Sequence, residues 1–225
     1  MVTLAFVGVI LFFVLLDLLV MRKLERRGPF TGAGEEGRPA GQLEVVMPRG
    51  FFFHPGHVWV RIQEDGSVRV GVDDFVRTAL GAVDRVRLPD PGTRLEEGAE
   101  AFEIGAGEVA LKLVSPMTGE VGRANPRLAE RPELLVEDPY GAGWLIAFEP
   151  ESGPCRELAS LVIARAAAEW MRSELATLGG FLAERGQRVA SASWRGLLAG
   201  ASPDVVRAFE ERFTLKSTER REVSA

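Results

Sequence analysis

Short runs in which apolar and polar residues alternate fill the middle of the chain. Val58–Ile62 and Val68–Val72 flank the turn residues Asp65 and Gly66, which is typical of a β-hairpin. Gly, Pro and Asp separate the remaining runs, and we predict further strands at 82–88, 100–104, 109–114, 119–123 and 144–148. This pattern predicts a mainly β fold, a β-sandwich or flattened barrel over residues 51–150.

One short helix interrupts the strands. Asp73–Leu80 has the acidic N-cap candidates Asp73 and Asp74 before its apolar face and Gly81 after it. After the β region, a longer helix is predicted to begin near Glu157 and to stop at Gly179 and Gly180. Its stripe has apolar residues at spacings of three and four: Leu161, Ala164, Ala168, Met171, Leu175 and Leu178.

A second C-terminal helix is predicted from its start signals. Ser202 serves as the cap, Pro203 lies in the first turn and Asp204 lies beside the helix N-terminus. The apolar residues of this helix are Val206, Phe209 and Phe213. We expect residues 151–215 to form a helical extension whose first helix packs on the β region and which offers a docking surface. Residues 216–225 are expected to form a flexible tail.

The chain opens with an apolar run long enough to cross a bilayer. Val2–Met21 is interrupted only by Thr3, Gly8 and Asp17. Four basic residues follow the run, Arg22, Lys23, Arg26 and Arg27, and none precedes it. The positive-inside rule therefore predicts an uncleaved single-pass helix in the inner, cytoplasmic membrane, with its N-terminus outside and the body of the protein cytoplasmic.

Two boundaries follow from this interpretation. Residues 1–27 form the transmembrane helix and its basic flank, and the Gly- and Pro-rich residues 28–50 form a linker. Asp17 has two interpretations: it reaches the interface or pairs with Arg22, or it contacts a partner helix in a larger membrane complex. The sequence leaves both open.

Composition and charge restrict the possible chemistry. The 225 residues carry a net charge of −5 with a pI near 5.3, which argues against nucleic-acid binding. One cysteine, Cys155, and two histidines, His54 and His57, exclude a disulfide framework and a Cys-rich metal site built by this chain alone. Pro55 and Gly56 break any helix that could present both histidines on one face, so we expect no metal site.

The order of motifs from His57 to Pro150 resembles the H protein of the glycine cleavage system. The supporting segments are His57-x-Trp59-Val60, Val70–Val72, Ala79–Gly81, Leu88–Gly92, Glu97-Gly98, Ser115–Val121 with Asn125, Pro132–Leu135 and Asp138–Leu145. The resemblance implies an H-protein-like fold with a lipoyl group on a hairpin lysine, seven residues before Ser115. It also implies a scaffold role for His57.

Glu108 occupies that position, and no lipoyl amide can form on a carboxylate. The nearest amine, Lys112, lies in the predicted returning strand and points away from the hairpin tip. The run Gly105-Ala106-Gly107 lacks the residues of a phosphate-binding loop and is interpreted as a tight turn. We therefore expect no bound cofactor and no catalytic residues, and hence no enzyme.

The expected function is that of a non-catalytic accessory subunit, a lipoyl-free H-protein-like head in an integral membrane complex such as a redox or energy-converting assembly. The alternatives are a lipoyl-type carrier that uses Lys112 and a small-molecule sensor that uses the groove of the lost lipoyl arm. The interaction candidates are Asp17, Phe51, Phe52, Phe53, Val206, Phe209 and Phe213. The lipid bilayer is contacted through residues 2–21.

Overall fold

A computed structural model describes residues 45–153, 158–185 and 194–216. In this part of the chain ten strands form two antiparallel sheets, as expected for a mainly β fold. The strands are β1 Phe52–His54, β2 Val58–Ile62, β3 Val68–Val72, β4 Arg85–Arg87, β5 Arg94–Leu95, β6 Glu100–Ala106, β7 Val109–Val114, β8 Gly119–Ala124, β9 Ile146–Pro150 and β10 Val162–Ile163.

The larger sheet has the order β10-β1-β2-β3-β9-β8-β5, and the smaller sheet has the order β4-β6-β7. The hairpin β2–β3 pairs Val60 with Val70, and the hairpin β6–β7 pairs Ala106 with Val109. Because successive side chains in a strand point to opposite faces, every second residue of these strands enters the core. Val58, Val60, Val70, Ile104 and Leu111 are fully buried in one cluster shared by both sheets.

Three short helices lie between strands: α1 Asp74–Leu80, α2 Arg127–Glu130 and α3 Leu134–Glu137. The Asp73 carboxylate caps α1 by accepting from the amides of Phe75 and Val76, at 3.0 and 3.2 Å. Gly81 ends α1 with a φ of +75°. The predicted helix and both of its end signals are therefore confirmed.

The C-terminal region begins with a 3₁₀ turn, Leu158–Ser160, and continues through β10 into α4 Ala164–Ala183. The predicted start near Glu157 is wrong, because residues 158–163 form the 3₁₀ turn and β10, and α4 begins only at Ala164. The predicted stop at Gly179 and Gly180 is wrong, because α4 passes through both glycines. Phe181 and Leu182, which follow them, are 2% and 3% exposed. Burying these two side chains offsets the roughly 1 kcal/mol that each glycine costs in a helix.

The last described elements are α5 Pro203–Phe209 and a π-helical turn, Glu210–Thr214. Ser202 and Pro203 occupy the predicted cap and first helical position, although the Ser202 side chain makes no capping hydrogen bond. Phe209 and Phe213 are fully buried and pack against Phe75 of α1 and Phe181 of α4. The helical extension therefore packs on the β region, as expected for its first helix, and completes the hydrophobic core, although we expected the extension to offer a docking surface.

Sequence alternation located the long strands and missed the short ones at both edges of the larger sheet. Strands β2, β3 and β7 have the predicted bounds, whereas β1, β5 and β10 were not predicted. The predicted transmembrane helix lies outside the described residues, as do residues 28–44 of the linker. Among the residues that are described, no helix combines the length and apolar character that a membrane span requires.

Candidate functional site

The tip of the β6–β7 hairpin is a two-residue turn formed by Gly107 and Glu108. Gly107 has a φ of +61°, and Glu108 does not have a positive φ. A positive φ at the first central residue alone is the pattern of a type II′ turn, which favours glycine there. This turn places the exposed Glu108 side chain at the summit of the hairpin.

Two residues that precede or begin β4 clasp this turn. The Asp84 carboxylate accepts from the Gly107 amide at 2.6 Å, and the Asp84 amide donates to the Gly105 carbonyl at 3.0 Å. The Arg85 guanidinium donates to the carbonyls of Gly107 and Val109, at 2.5 and 2.9 Å. The backbone on both sides of Glu108 is therefore tied to β4.

The clasp requires a glycine at position 105. Arg85 and Gly105 are register partners in β4 and β6, and the Arg85 side chain lies across the glycine. A Cβ at position 105 would lie only 2.3 Å from Arg85 atoms, which is closer than side-chain atoms approach each other. The tight turn predicted at Gly105–Gly107 is formed instead by Gly107 and Glu108, while Gly105 belongs to β6 and makes room for the Arg85 side chain.

The lipoyl group that the family resemblance implies does not fit this tip. A lipoyl group is carried through an amide on a lysine amine, and the corresponding side chain here ends in the Glu108 carboxylate. Among the described residues, no three His, Cys, Asp or Glu side chains are grouped to hold a metal ion. The hairpin geometry is present, and its chemical attachment point is not.

Lys112 is oriented away from the tip, as its strand position predicted. It lies four residues beyond Glu108, about 13 Å along an extended strand. Its side chain is 47% exposed, and its ammonium donates to the Glu100 carboxylate at 2.9 Å. This hydrogen bond is the first cause that raises the pKa of Lys112 above its ordinary value, so the side chain is held as a cation.

The outer edge of β7 is covered by the π-helical turn. The Lys112 amide donates to the Glu210 carboxylate at 2.7 Å, and the Lys112 carbonyl accepts from the Thr214 hydroxyl at 2.6 Å. An edge strand normally leaves such backbone groups free to pair with another chain. The C-terminal segment therefore blocks strand addition at the centre of the hairpin and further immobilises the segment that bears Lys112.

His57 connects the β body to the C-terminal region. Its φ is +60°, an uncommon value for a residue other than glycine, and its ring stacks on Phe75 at 4.0 Å. Nδ1 lies 2.7 Å from an Asp73 carboxylate oxygen, and Nε2 lies 3.7 Å from an oxygen of Glu174 in α4. Complete burial acts to lower the pKa of His57, but these two carboxylates outweigh it and the pKa is raised.

Lys216 extends this chain of charges. Its ammonium lies 2.9 Å from both Glu174 carboxylate oxygens. Burial acts to raise the pKa of Glu174, but hydrogen bonds to His57 and Lys216 lower it. Lys216 was placed in the flexible tail by sequence and is instead fixed to α4, while residues 217–225 lie outside the described residues.

His54 has the opposite electrostatic character. It is fully buried, and its Nδ1 accepts from the Gly56 amide at 2.9 Å. Burial lowers the pKa of His54 to about 4, with the nearby His57 as the second cause. His54 is therefore neutral at pH 7, and both histidines belong to the scaffold, as the resemblance implied for His57.

The remaining interaction candidates are mostly inside the molecule. Phe51 and Phe53 are 5% and 1% exposed and belong to an aromatic cluster with Trp59, Tyr140 and Trp144, and Phe52 is half-buried. Val206, Phe209 and Phe213 are also buried. Burial removes all of these except Phe52 from any exposed docking surface of the folded chain. Asp17 and Cys155 lie outside the described residues.

The sequence analysis missed the residues that clasp and cover the hairpin. Asp84 and Arg85 were assigned only to a strand, and Glu210 and Thr214 were assigned no role. Asp84 and Arg85 are far from Gly105–Gly107 in the sequence. Only the register of β4 with β6 brings them together, so the sequence alone offered no signal. Glu174 lies in the middle of the predicted helix and was not assigned a role, because no sequence pattern indicated its contacts with His57 and Lys216.

Comparison with known proteins gives consistent matches over this same region. The family model described as glycine cleavage H-protein matches residues 52–174. A probable glycine cleavage system H protein of Pyrococcus furiosus is 34% identical over 130 residues, which are 58% of this chain and 96% of the relative. A glycine cleavage system H protein of Xylella fastidiosa is 38% identical over 106 residues, which are 47% of this chain and 81% of the relative.

Among solved structures, the chain is similar to a glycine cleavage system H protein from Mycobacterium marinum. The TM-score is 0.48 and the sequence identity is 28%, and the similarity covers 60% of this chain and 99% of that chain.

Proposed function

Because the chain belongs to the glycine cleavage H-protein family, and because it bears a carboxylate at the hairpin tip, we propose that it is a lipoyl-free member that serves as a non-catalytic accessory subunit. The observation that carries this proposal is Glu108 at the summit of a turn clasped by Asp84 and Arg85. A carrier needs a free amine that projects from the hairpin, and this summit has none.

The state of Lys112 argues against the carrier alternative. Moving its amine to the tip would require β7 to slip by four residues. Such a slip would break the pairing with β6 and both backbone hydrogen bonds to Glu210 and Thr214. With the β6–β7 pairing and the hydrogen bonds to Glu210 and Thr214 in place, the β body can act as a scaffold without a carrier arm.

We further propose that residues 2–21 anchor this body in the inner membrane, with the body on the cytoplasmic side, as a subunit of an integral membrane complex. The support is the length of the apolar run and the four basic residues that follow it. In this arrangement Asp17 is the candidate contact to a partner helix.

The test is membrane extraction of the full chain, followed by purification in mild detergent. We expect the chain to stay in the membrane pellet through an alkaline carbonate wash and to purify with a fixed stoichiometry of an integral membrane protein. The matched control is Leu11→Asp with Leu15→Asp, because each acid at a span centre costs about 3 kcal/mol. Release of the unmodified chain by carbonate would refute the anchor, and an anchored chain that purifies alone would refute the subunit role.

A further inference from the structure

The outer face of the larger sheet carries a row of arginines. Arg61 of β2 is the register partner of Arg69 of β3, and both Arg69 and Arg123 of β8 are register partners of Ala147 in β9. With neighbouring strands about 4.8 Å apart, the three positions span four strands and roughly 14 Å. We call Arg61, Arg69 and Arg123 the arginine row.

Aromatic rings hold these guanidinium groups in place. The Arg61 guanidinium lies 5.3 Å from the Phe51 ring centroid. Those of Arg69 and Arg123 lie 5.4 and 5.3 Å from the Trp144 ring centroid. Stacking on an aromatic face leaves the hydrogen-bond donors at the edge of a guanidinium free to bind another group.

The arginine row has no carboxylate partner within the part of the chain that the structure describes. None of its members is among the ion pairs found there, whereas most other arginines in that part pair with Asp or Glu. Like charges directly opposite each other in a sheet are destabilising. Asp65 attracts Arg69 without forming an ion pair with it. The row is therefore a concentration of weakly compensated positive charge on a chain whose net charge is −5.

The polypeptide enters the body beside this row. The Val46 amide donates to Asp74 at 2.9 Å, and the Val46 carbonyl accepts from the Tyr140 hydroxyl at 2.7 Å. Tyr140 packs against Phe51, the ring that carries Arg61. The segment that arrives from the predicted membrane span thus joins the same aromatic cluster that supports the arginine row.

We propose that the arginine row docks the body onto the anionic phospholipid surface of the membrane in which the chain is anchored. This inference rests on the proposed anchor. Only 24 residues separate Met21 from Val46, so the body is tethered to any bilayer that residues 2–21 cross. Arg61 and Arg123 are exposed and Arg69 is half-buried, and planar guanidinium forks match phosphate oxygens.

The expected strength follows from surface electrostatics. Each arginine near an anionic leaflet contributes about fivefold to surface partition, so the row contributes on the order of a hundredfold. Salt weakens the attraction, because the Debye length shortens to about 4 to 5 Å at about 0.5 M NaCl. In the anchored protein this attraction holds the body flat against the membrane.

The experiment is arginine footprinting with phenylglyoxal on the full chain in nanodiscs, followed by peptide mass spectrometry. Nanodiscs of phosphatidylcholine alone are compared with nanodiscs containing about one third phosphatidylglycerol. We expect severalfold slower modification of Arg61, Arg69 and Arg123 in the anionic nanodiscs, reversed by salt. Arg87 and Arg207, which are 80% and 79% exposed, serve as internal controls with unchanged rates.

Equal modification in both lipids, with the chain inserted, would overturn the docking proposal and leave the anchor standing. Protection of the row in neutral nanodiscs as well would overturn it too, because anionic lipid would then not be the cause. A chain that fails to insert would refute the anchor. The same footprint on anionic vesicles added in excess would then still decide whether the row binds lipid.

A second measurement isolates the row from the anchor. In the unanchored Leu11→Asp, Leu15→Asp chain, changing Arg61, Arg69 and Arg123 to Gln should reduce partition onto anionic vesicles on the order of a hundredfold. The matched control changes Arg87, Arg165 and Arg207 to Gln, with the same loss of charge. Equal losses in both triple variants would show that net charge alone acts, and would overturn a role for the row.

Discussion

Replacing Phe213 with Ala tests whether the C-terminal region is part of the folding unit of the β body. Phe213 is fully buried, and its ring centroid lies 4.8 Å from that of Phe209, 5.3 Å from that of Phe75 and 5.7 Å from that of Phe181. These partners come from α5, α1 and α4. One side chain therefore joins the helix that follows β3 to both C-terminal helices.

The magnitude follows from cavity formation. A buried Phe→Ala change costs about 3 to 5 kcal/mol, because the transfer free energy is lost and the site collapses only partly. In a folding unit of 150 to 250 residues, each kcal/mol lowers Tm by about 2 to 4 °C. We therefore expect Phe213→Ala to lower the Tm of the whole chain by roughly 6 to 20 °C.

The assay is urea and thermal unfolding, followed both by far-UV circular dichroism and by tryptophan fluorescence. Both probes should report a single transition that shifts as one. The matched control is Arg212→Ala, an exposed neighbour in the same turn, which should change the free energy of unfolding by less than about 0.5 kcal/mol. Two separate transitions, with the β transition unmoved in Phe213→Ala, would refute the single unit.

Three further outcomes follow from the same contacts. Glu108→Lys should become lipoylated when it is made with a lipoyl ligase and lipoate, because the turn and its clasp are already formed; an unmodified intact mass would show that the tip is not recognised. Glu210→Ala should speed hydrogen exchange of the Lys112 amide by about tenfold or more, since a hydrogen bond to a charged group is worth about 1.5 to 3 kcal/mol, and an unchanged rate would argue against the edge contact. The pKa of His54 is lowered to about 4, so His54 should destabilise the fold by about 1.5 kcal/mol as the pH falls from about 6.5 to 5. The pKa of His57 is raised, so the stabilisation that protonated His57 contributes should be lost as the pH rises above about 6.5. His54→Asn should flatten only the acidic limb in urea titrations, and a persisting acidic limb would exclude His54 as its cause.

Local sequence patterns predicted the elements that are stabilised by interactions between residues close together in the chain. Alternation located β2, β3 and β7, and the side-chain cap of Asp73 fixed the start of α1. The glycines at 179 and 180 were misleading, since the burial of Phe181 and Leu182 outweighs their weak propensity effect. Tertiary packing thus decided where α4 ends, and the pairing of β10 with β1 removed residues 162 and 163 from the predicted helix.

The candidate site divides in the same way. Glu108 could be located from sequence, because its position follows from counting back from Ser115. Its clasp could not, since Asp84 and Arg85 reach the tip only through the register of β4 with β6. The charge chain from Asp73 through His57 and Glu174 to Lys216 joins residues more than a hundred positions apart, and no periodicity connects them.

The absence of a lipoyl attachment point is tested most directly by the intact mass of the unmodified chain, produced with an active lipoyl ligase and an excess of lipoate. A conventional H protein made in parallel supplies the positive control. We expect the mass of the bare polypeptide. A species heavier by one lipoyl group, with the addition mapped to Lys112, would contradict the proposed lipoyl-free function.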